Sequence, residues 1–338
     1  MDRIAFIVFK EEEADNDKTD NSKARNFKPW FLRILMQKIF RIVNKTKNSR
    51  EIKIVDLFDD ENINILSVLL PFEIKDLEKK AETIKNKISG ICSTNKIDKC
   101  IIPIGSAEKF IDEGNYLFQA FSGKILFKSL LVLIIEEICR RKEMMINEAD
   151  ISIVHGNNAG ELITFTRILS PYIRYLTLVT GFSNEIEDEI DKLYAESGLA
   201  ISITSDINRG IKNKDIVINL GSMERKNLDS KINQNAWIIN YGSQDINKSN
   251  SKNIIINGIK INLTENIKRK TEDIKNMNLL YESSHIAEAL IYYKLQKYEA
   301  GLSFQDDNEL YDNMAREFIR MGFKIEGLIG RHGLVDLN

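Results

Sequence analysis

The sequence predicts an α/β protein: a Rossmann-like, doubly wound parallel sheet, a second α/β domain ahead of it, and C-terminal helices behind. Three observations predict this. Between Ile151 and Gly221 the pattern reads strand, Gly-containing turn, helix, strand, helix, strand, helix, strand. Ahead of Ile151, further short apolar runs alternate with helical spacing, which argues for another α/β layer. The 338 residues are also too many for one ordinary core. The expected organisation is 1–145 as an N-terminal α/β domain and 146–270 as the Rossmann-like domain. Residues 271–338 are expected to pack back as helices across the junction.

In order, Ile4 to Phe9 reads as a first strand. Glu11 to Lys28 is polar and charged, with almost no apolar anchors, and reads as a solvated loop. Pro29 suits a first helical turn, and Phe31, Leu32, Leu35, Ile39, Ile42 and Val43 then recur at helical spacing. Ile52 to Phe58 reads as a second strand, Phe72 to Ile91 as a helix ended near Gly90, and Lys99 to Ile104 as a third strand. Ser122 to Glu143 is apolar around most of its circumference and reads as one long buried helix.

Six strands are expected next: Ile151–Val154, Tyr175–Thr180, Leu199–Thr204, Asp215–Leu220, Trp237–Asn240 and Asn253–Ile256. The helix between the first two carries Leu162, Phe165, Ile168, Leu169 and Tyr172 on one face. The next carries Ile186, Ile190 and Leu193 and stops at Gly198. Glu265 to Phe323 is helical again.

Ligands of a doubly wound sheet sit at the carboxyl ends of its strands. Those ends are His155 to Gly160, Thr180 to Ser183, Thr204 to Asp206, Gly221-Ser222 and Tyr241 to Ser243. Glycine permits close backbone approach, and the helix after the first turn offers free N–H groups and a partial positive charge. These features suit a dinucleotide. Gly156, Asn158 and Gly160 are expected at the pyrophosphate, Thr180, Gly181 and Ser183 at the adenosine ribose, and Gly221 and Ser222 on the nicotinamide side.

The runs "YLTLVTG" (175–181) and "INRGIKNKDIVINLGS" (207–222), with the strand order, resemble the NAD(P)-binding domain of the shikimate dehydrogenase and glutamyl-tRNA reductase group. The resemblance covers 151–263, about a third of the chain. It implies NAD or NADP as cofactor, an oxidoreductase, and a small-molecule substrate in an interdomain cleft, with hydride chemistry supplied by the cofactor. The chain departs from the glycine fingerprint. Counting from Gly156, Asn158 and Glu161 stand at the second and third glycine places, with Gly160 one residue out of phase. No acid stands at Thr180 or Gly181 for a ribose hydroxyl. Two other readings therefore stand beside the oxidoreductase: a non-catalytic Rossmann-like binding or scaffold protein with an altered cofactor site, and a transferase using another adenosine-containing ligand.

For proton transfer the candidates are Lys109, after "IIPIGSAE", and His285, in "YESSHIAEALIYYKL". His285 reads equally as the capped start of a helix, with Ser283 or Ser284 as the cap and Glu288 in its first turns. Arg331 and His332, between two glycines, read as an exposed turn, and His155 as either a packed residue or a ligand contact.

The near balance of 48 basic and 50 acidic residues gives no overall pull toward nucleic acid or an anionic membrane. Short basic runs at Lys45 to Arg50 and Lys268 to Lys270 read as solvated faces. Ile125 to Ile138 is too short and too interrupted by charge to span a bilayer, which takes about 20 apolar residues. The three histidines are scattered without HxH or HExxH spacing, so no metal site is expected. Neither GxSxG nor a Walker A pattern occurs. Cys92, Cys100 and Cys139 are odd in number and lack CxxC spacing, so a reducing cytoplasm is expected and a disulfide framework is not. A homodimer is left open.

Overall fold

The computed structural model describes residues 2–10, 52–59, 63–111, 116–155, 158–221, 223, 232–242, 252–274, 276–298 and 307–335. The solvated loop and helix expected between Glu11 and Val43 lie outside them. The chain forms two compact units, Met1–Ala120 with Arg269–Leu280, and Phe121–Lys268 with Tyr281–Asn338.

The first unit holds β1 (Asp2–Lys10), β2 (Lys53–Asp59), β3 (Ile63–Glu73), helix α1 (Leu77–Asn95), β4 (Lys99–Ile101) and β5 (Phe118–Gln119). Its sheet runs β2-β3-β1-β4-β5, parallel except for the antiparallel β2–β3 pair. Ala5, Ile7 and Phe9 of β1 pack with Leu77, Ile84, Ile88 and Cys92 of α1 in one core. β3 is an addition to the expected elements. It is a nearly continuous apolar run, as strands buried on both faces are, and lacks the alternation that marks a half-exposed one. Its Pro71 falls where the pairing with β1 is interrupted, between Val8 opposite Leu69 and Lys10 opposite Glu73, so no ladder bond is lost. α1 starts later than expected and passes through the exposed Gly90 to Asn95, closing on Lys96 in the left-handed conformation (φ 55°).

The second unit begins with α2 (Lys124–Ser129) and α3 (Leu131–Arg141), so the one long helix expected is two. The break is Leu130, at φ −92° and ψ 17°. Then come β6 (Ile151–Val154), α4 (Ala159–Leu169), β7 (Tyr175–Val179), α5 (Ser183–Ser197), β8 (Ala200–Thr204), β9 (Ile216–Asn219), β10 (Trp237–Asn240) and β11 (Ile254–Ile256). All six expected strands form one wholly parallel sheet, ordered β11-β10-β9-β6-β7-β8. Numbered within the sheet, this is 3-2-1-4-5-6 read from the β8 edge, the doubly wound order, and its direction reverses between β6 and β9. β6, β9 and β10 are buried at every position, as central parallel strands are.

The C-terminal part continues with β12 (Gly258–Asn262), α6 (Glu265–Asp273), α7 (Ser283–Tyr298), α8 (Asp307–Arg320), β13 (Lys324–Gly330) and β14 (Gly333–Leu334). β12, β13 and β14 make a small antiparallel sheet, so the tail is a β-hairpin whose two-residue turn is Arg331-His332.

Candidate functional site

The carboxyl ends of β6 and β9 are adjacent where the strand order reverses, and the site is built outward from there. β6 is followed by His155, which is 4 % exposed. Gly156 lies outside the described residues. Asn158 is the N-cap of α4: its side-chain oxygen accepts from the backbone N–H of Gly160 (2.9 Å) and of Glu161 (3.4 Å). Two of the amides that would face an anionic ligand are therefore bonded within the chain.

Glu161, in the same first turn, is held between two side chains. Its Oε1 lies 2.5 Å from Lys128 Nζ of α2, and its Oε2 lies 3.0 Å from His155 Nε2. The hydrogen bond to His155 and then the Lys128 ammonium, working against partial burial, bring its carboxyl down to about 2. A permanent carboxylate thus stands at the positive end of α4, neutralised by a cation from another helix.

At the end of β7, Thr180 Oγ1 accepts from the Phe182 N–H (3.1 Å), and Gly181 faces open space. Ser183 opens α5, whose N-cap residue Phe182 makes no side-chain cap. At the end of β8, Asp206 caps the following turn through the N–H groups of Asn208 and Arg209.

The β9 and β10 ends share a device. Asn219 Oδ1 accepts from the Gly221 and Met223 N–H groups, both at 3.1 Å, and Asn240 Oδ1 accepts from the Gly242 N–H at 3.2 Å. Asn219 Nδ2 donates to Asn240 Oδ1 (2.9 Å), and Asn240 Nδ2 donates to Asn257 Oδ1 (2.9 Å). A ladder of three asparagines thus crosses the ends of β9, β10 and β11. The two turns nest closely: a Cβ on Gly242 would lie 2.6 Å from the Gly221 Cα. Sequence reasoning missed this ladder, although its signal is legible as "INLGS" (218–222) and "INYGS" (239–243). Gly221 is at φ 137° with nothing near its Cβ position, and Ser222 lies outside the described residues. Tyr241, between Asn240 and Gly242, is half-buried, and desolvation raises its phenol well above the usual value; its hydroxyl donates to the Phe127 carbonyl of α2 (3.2 Å).

Of the expected site residues, Asn158, Gly160, Thr180, Gly181, Ser183 and Gly221 all follow the carboxyl ends of strands in this one sheet. His285 belongs to another feature of the same unit, the start of α7 against the Ser122–Gly123 turn. Its Nδ1 accepts from the Glu282 N–H (3.4 Å), the ring also hydrogen-bonds the Ser122 backbone, and burial lowers its basicity. Glu288, one turn on, serves α2 rather than its own helix: it is 2 % exposed and its Oε2 accepts from the Leu126 N–H (2.9 Å). Lys109 is exposed in the first unit, in the single turn Ala107–Phe110. A groove of about 670 Å³ lies between α3, α4 and α8. It is lined by Leu133, Ile168, Tyr172, Tyr311, Ala315 and Ile319, and it meets α4 at its C-terminal end, the opposite edge of the sheet from the strand ends. Among the described residues no group of three or more His, Cys, Asp or Glu is placed to hold a metal ion, and no helix is long and apolar enough to cross a membrane.

No protein-family description matches the chain, and no curated protein does. Solved structures give partial alignments. Δ1-pyrroline-2-carboxylate reductase from Thermococcus litoralis, in complex with NADH and L-proline, aligns at 10 % identity over 35 % of each chain (TM-score 0.26). This chain therefore spans about a third of that enzyme's length. Shikimate 5-dehydrogenase from Listeria monocytogenes, in complex with shikimate and NAD, aligns at 9 % identity over 86 % of this chain and 96 % of that one (TM-score 0.29). Anabolic ornithine carbamoyltransferase from Campylobacter jejuni aligns at 12 % identity over 86 % and 87 % (TM-score 0.30). At such scores the alignments transfer no activity. The fold assignment rests on the strand order of the sheet itself.

Proposed function

We propose that the second unit is a nucleotide-binding module whose ligand lies across the carboxyl ends of β6 and β9. In its most specific form the chain is an NAD(P)-dependent oxidoreductase acting on a small molecule. The observation that carries the reading is the reversal of the 3-2-1-4-5-6 strand order between these two strands, since ligands of open α/β sheets bind at that crevice. In this reading Thr180, Gly181 and Ser183 receive the ribose side. The open face of Gly221 receives the other end, and His285 of the same unit is the candidate to handle a proton. A bound nicotinamide cofactor would supply the hydride.

The donor set at α4 favours a second reading. The Gly160 and Glu161 amides are already held by Asn158, and the Glu161 carboxylate occupies the turn where a pyrophosphate would gather. That arrangement suits a ligand that brings no phosphate to this turn, or a scaffold without a cofactor.

One titration separates the readings. The purified chain is heated in the presence of NAD, NADP, their reduced forms and S-adenosylmethionine. A ligand at 100 times its dissociation constant adds about 2.7 kcal/mol and a clear rise in Tm. A rise with a nicotinamide dinucleotide, lost in a Gly181→Trp variant that still folds, supports the oxidoreductase. A rise with S-adenosylmethionine alone supports the phosphate-free ligand. No rise with any of them at millimolar concentration overturns nucleotide binding and leaves the scaffold.

A further inference from the structure

Cys92 lies in the last turn of α1, and Cys100 lies on β4. They are eight positions apart in sequence, and their sulfurs are 3.1 Å apart. The approach is enforced by the backbone. α1 closes with Lys96 in the left-handed conformation, and the N–H groups of Lys96 and Ile97 both bond the Cys92 carbonyl, which turns the chain directly from helix into strand. β4 is fixed in turn between β1 and β5. Both thiols are buried in the same core as Ile88, Ile97, Ile102 and Phe118. Cys139 lies in the second unit, on α3.

We propose that Cys92 and Cys100 form an oxidisable dithiol that closes to an intramolecular disulfide on exposure to hydrogen peroxide or a small-molecule disulfide, stapling the end of α1 to β4. The sulfurs need to approach by only about 1 Å to reach the S–S bond length of about 2.05 Å. With peroxide, the Cys92 thiolate attacks one oxygen, the O–O bond breaks, and the leaving hydroxide takes up a proton to become water. The Cys100 sulfur then attacks the resulting sulfenic sulfur, the S–O bond breaks, and a second water leaves. Two electrons pass from the sulfurs to the peroxide, and the two thiol protons end in the waters. With a small disulfide, the same two electrons pass through a mixed disulfide and two small thiols are released. Cys92 is the attacking sulfur: the hydrogen bond from Cys100 stabilises its thiolate and holds it below the usual thiol range, while Cys100 is pushed up by the same bond and by burial.

The pair escapes a reading by cysteine spacing, because its proximity comes from a helix-to-strand turn and not from a CxxC loop. The proposal is independent of any ligand of the second unit.

The test oxidises the folded, full-length chain with hydrogen peroxide, then denatures it, alkylates the remaining thiols and digests it with trypsin. The expected product has one alkylated cysteine, Cys139, and a linked peptide pair lighter by two hydrogen atoms than the sum of its two members. Its peptides 88–96 and 100–109 are joined, and dithiothreitol restores both. Cys92→Ser and Cys100→Ser each abolish the link. Three alkylated cysteines, in a sample whose exposed Met145 has been oxidised by the same peroxide, overturn the proposal. So does a link through Cys139, or a sulfinate at Cys92 in the wild-type chain.

Discussion

The Glu161 carboxylate lies 2.5 Å from the Lys128 ammonium and fills, from within the chain, the position at the start of α4 where an anion would otherwise be drawn. Both groups are partly buried, with side chains 17 % and 25 % exposed, and His155 completes the arrangement from β6. The helix after the first strand of a doubly wound sheet commonly offers its amides to a ligand. Here it is closed by its N-cap residue Asn158 and by Glu161 of its first turn.

The first prediction concerns acid stability. The folded value of Glu161 is about 2, below the ordinary 4.5, so its contribution is fully present above about pH 4.5. It is lost as the pH falls from there toward 2. Glu161→Gln is expected to cost about 1–3 kcal/mol at pH 7, because it leaves the Lys128 charge poorly paired. The difference between variant and wild type should shrink steadily toward pH 2, where about half of the wild-type carboxyl is protonated. Urea unfolding across pH 2–7 checks this, and a pH-independent difference contradicts it.

The second prediction concerns the asparagine ladder. Asn219→Ala removes the acceptor for the Gly221 and Met223 amides and one donor to Asn240. A buried group left without a partner costs about 1–3 kcal/mol; Met223 is buried and Gly221 is exposed, so a total of about 1–3 kcal/mol is expected. Asn219→Asp keeps the acceptor but puts a second acceptor against Asn240 Oδ1, and its loss should be comparable. An unchanged urea midpoint in either variant would show that water replaces the ladder without cost.

What was legible in the sequence follows from local physics. The six strands of the second unit are short β-branched runs bounded by glycine, serine or asparagine, and a parallel strand is written that way. β3 was not legible, because Ile63–Glu73 contains Pro71 and alternates poorly; its pairing with β1 and β2 makes it a strand. Glu288 read as a residue of its own helix, yet it caps another. The partner of a side chain is a tertiary fact, and 162 residues separate it from Leu126. Cys92 and Cys100 were missed for the opposite reason: they are close in sequence, but only the left-handed Lys96 brings their sulfurs together. The strand-end glycines and serines were legible as a class. That Glu161 is held inward was not, since it depends on the position of Lys128 in α2.

The third prediction contrasts two glycines. Gly123 sits at φ +73° at the start of α2, and a Cβ there would lie 2.8 Å from Ser284 Oγ. Gly123→Ala is therefore strained in backbone and in packing, and is expected to cost about 1–3 kcal/mol. Gly90 is exposed inside α1, with nothing near its Cβ position. Gly90→Ala is expected to stabilise by about 0.5–1 kcal/mol. Thermal unfolding should move Tm in opposite directions, and a shift of the same sign in both variants would refute the contrast.

The fourth prediction turns on Glu288, whose carboxyl is raised by burial although the backbone amides of Leu126, Gly123, Ile125 and Ser122 favour its charged form. It is the buried acceptor for the first turn of α2, and Glu288→Ala leaves those amides without it, at an expected cost of about 1–3 kcal/mol. Glu288→Gln keeps one acceptor oxygen and should cost less. The pH dependence has the opposite sign to that of Glu161. An acid whose folded value lies above its unfolded one binds its proton more tightly when folded, so its contribution grows as the pH falls through the folded value. The stability of the wild type relative to Glu288→Gln should therefore increase on acidification, while that relative to Glu161→Gln should decrease. Measuring both variants over one pH series tests the two carboxylates against each other. A parallel response would mean that Glu288 is held by its amides more strongly than it is penalised by burial.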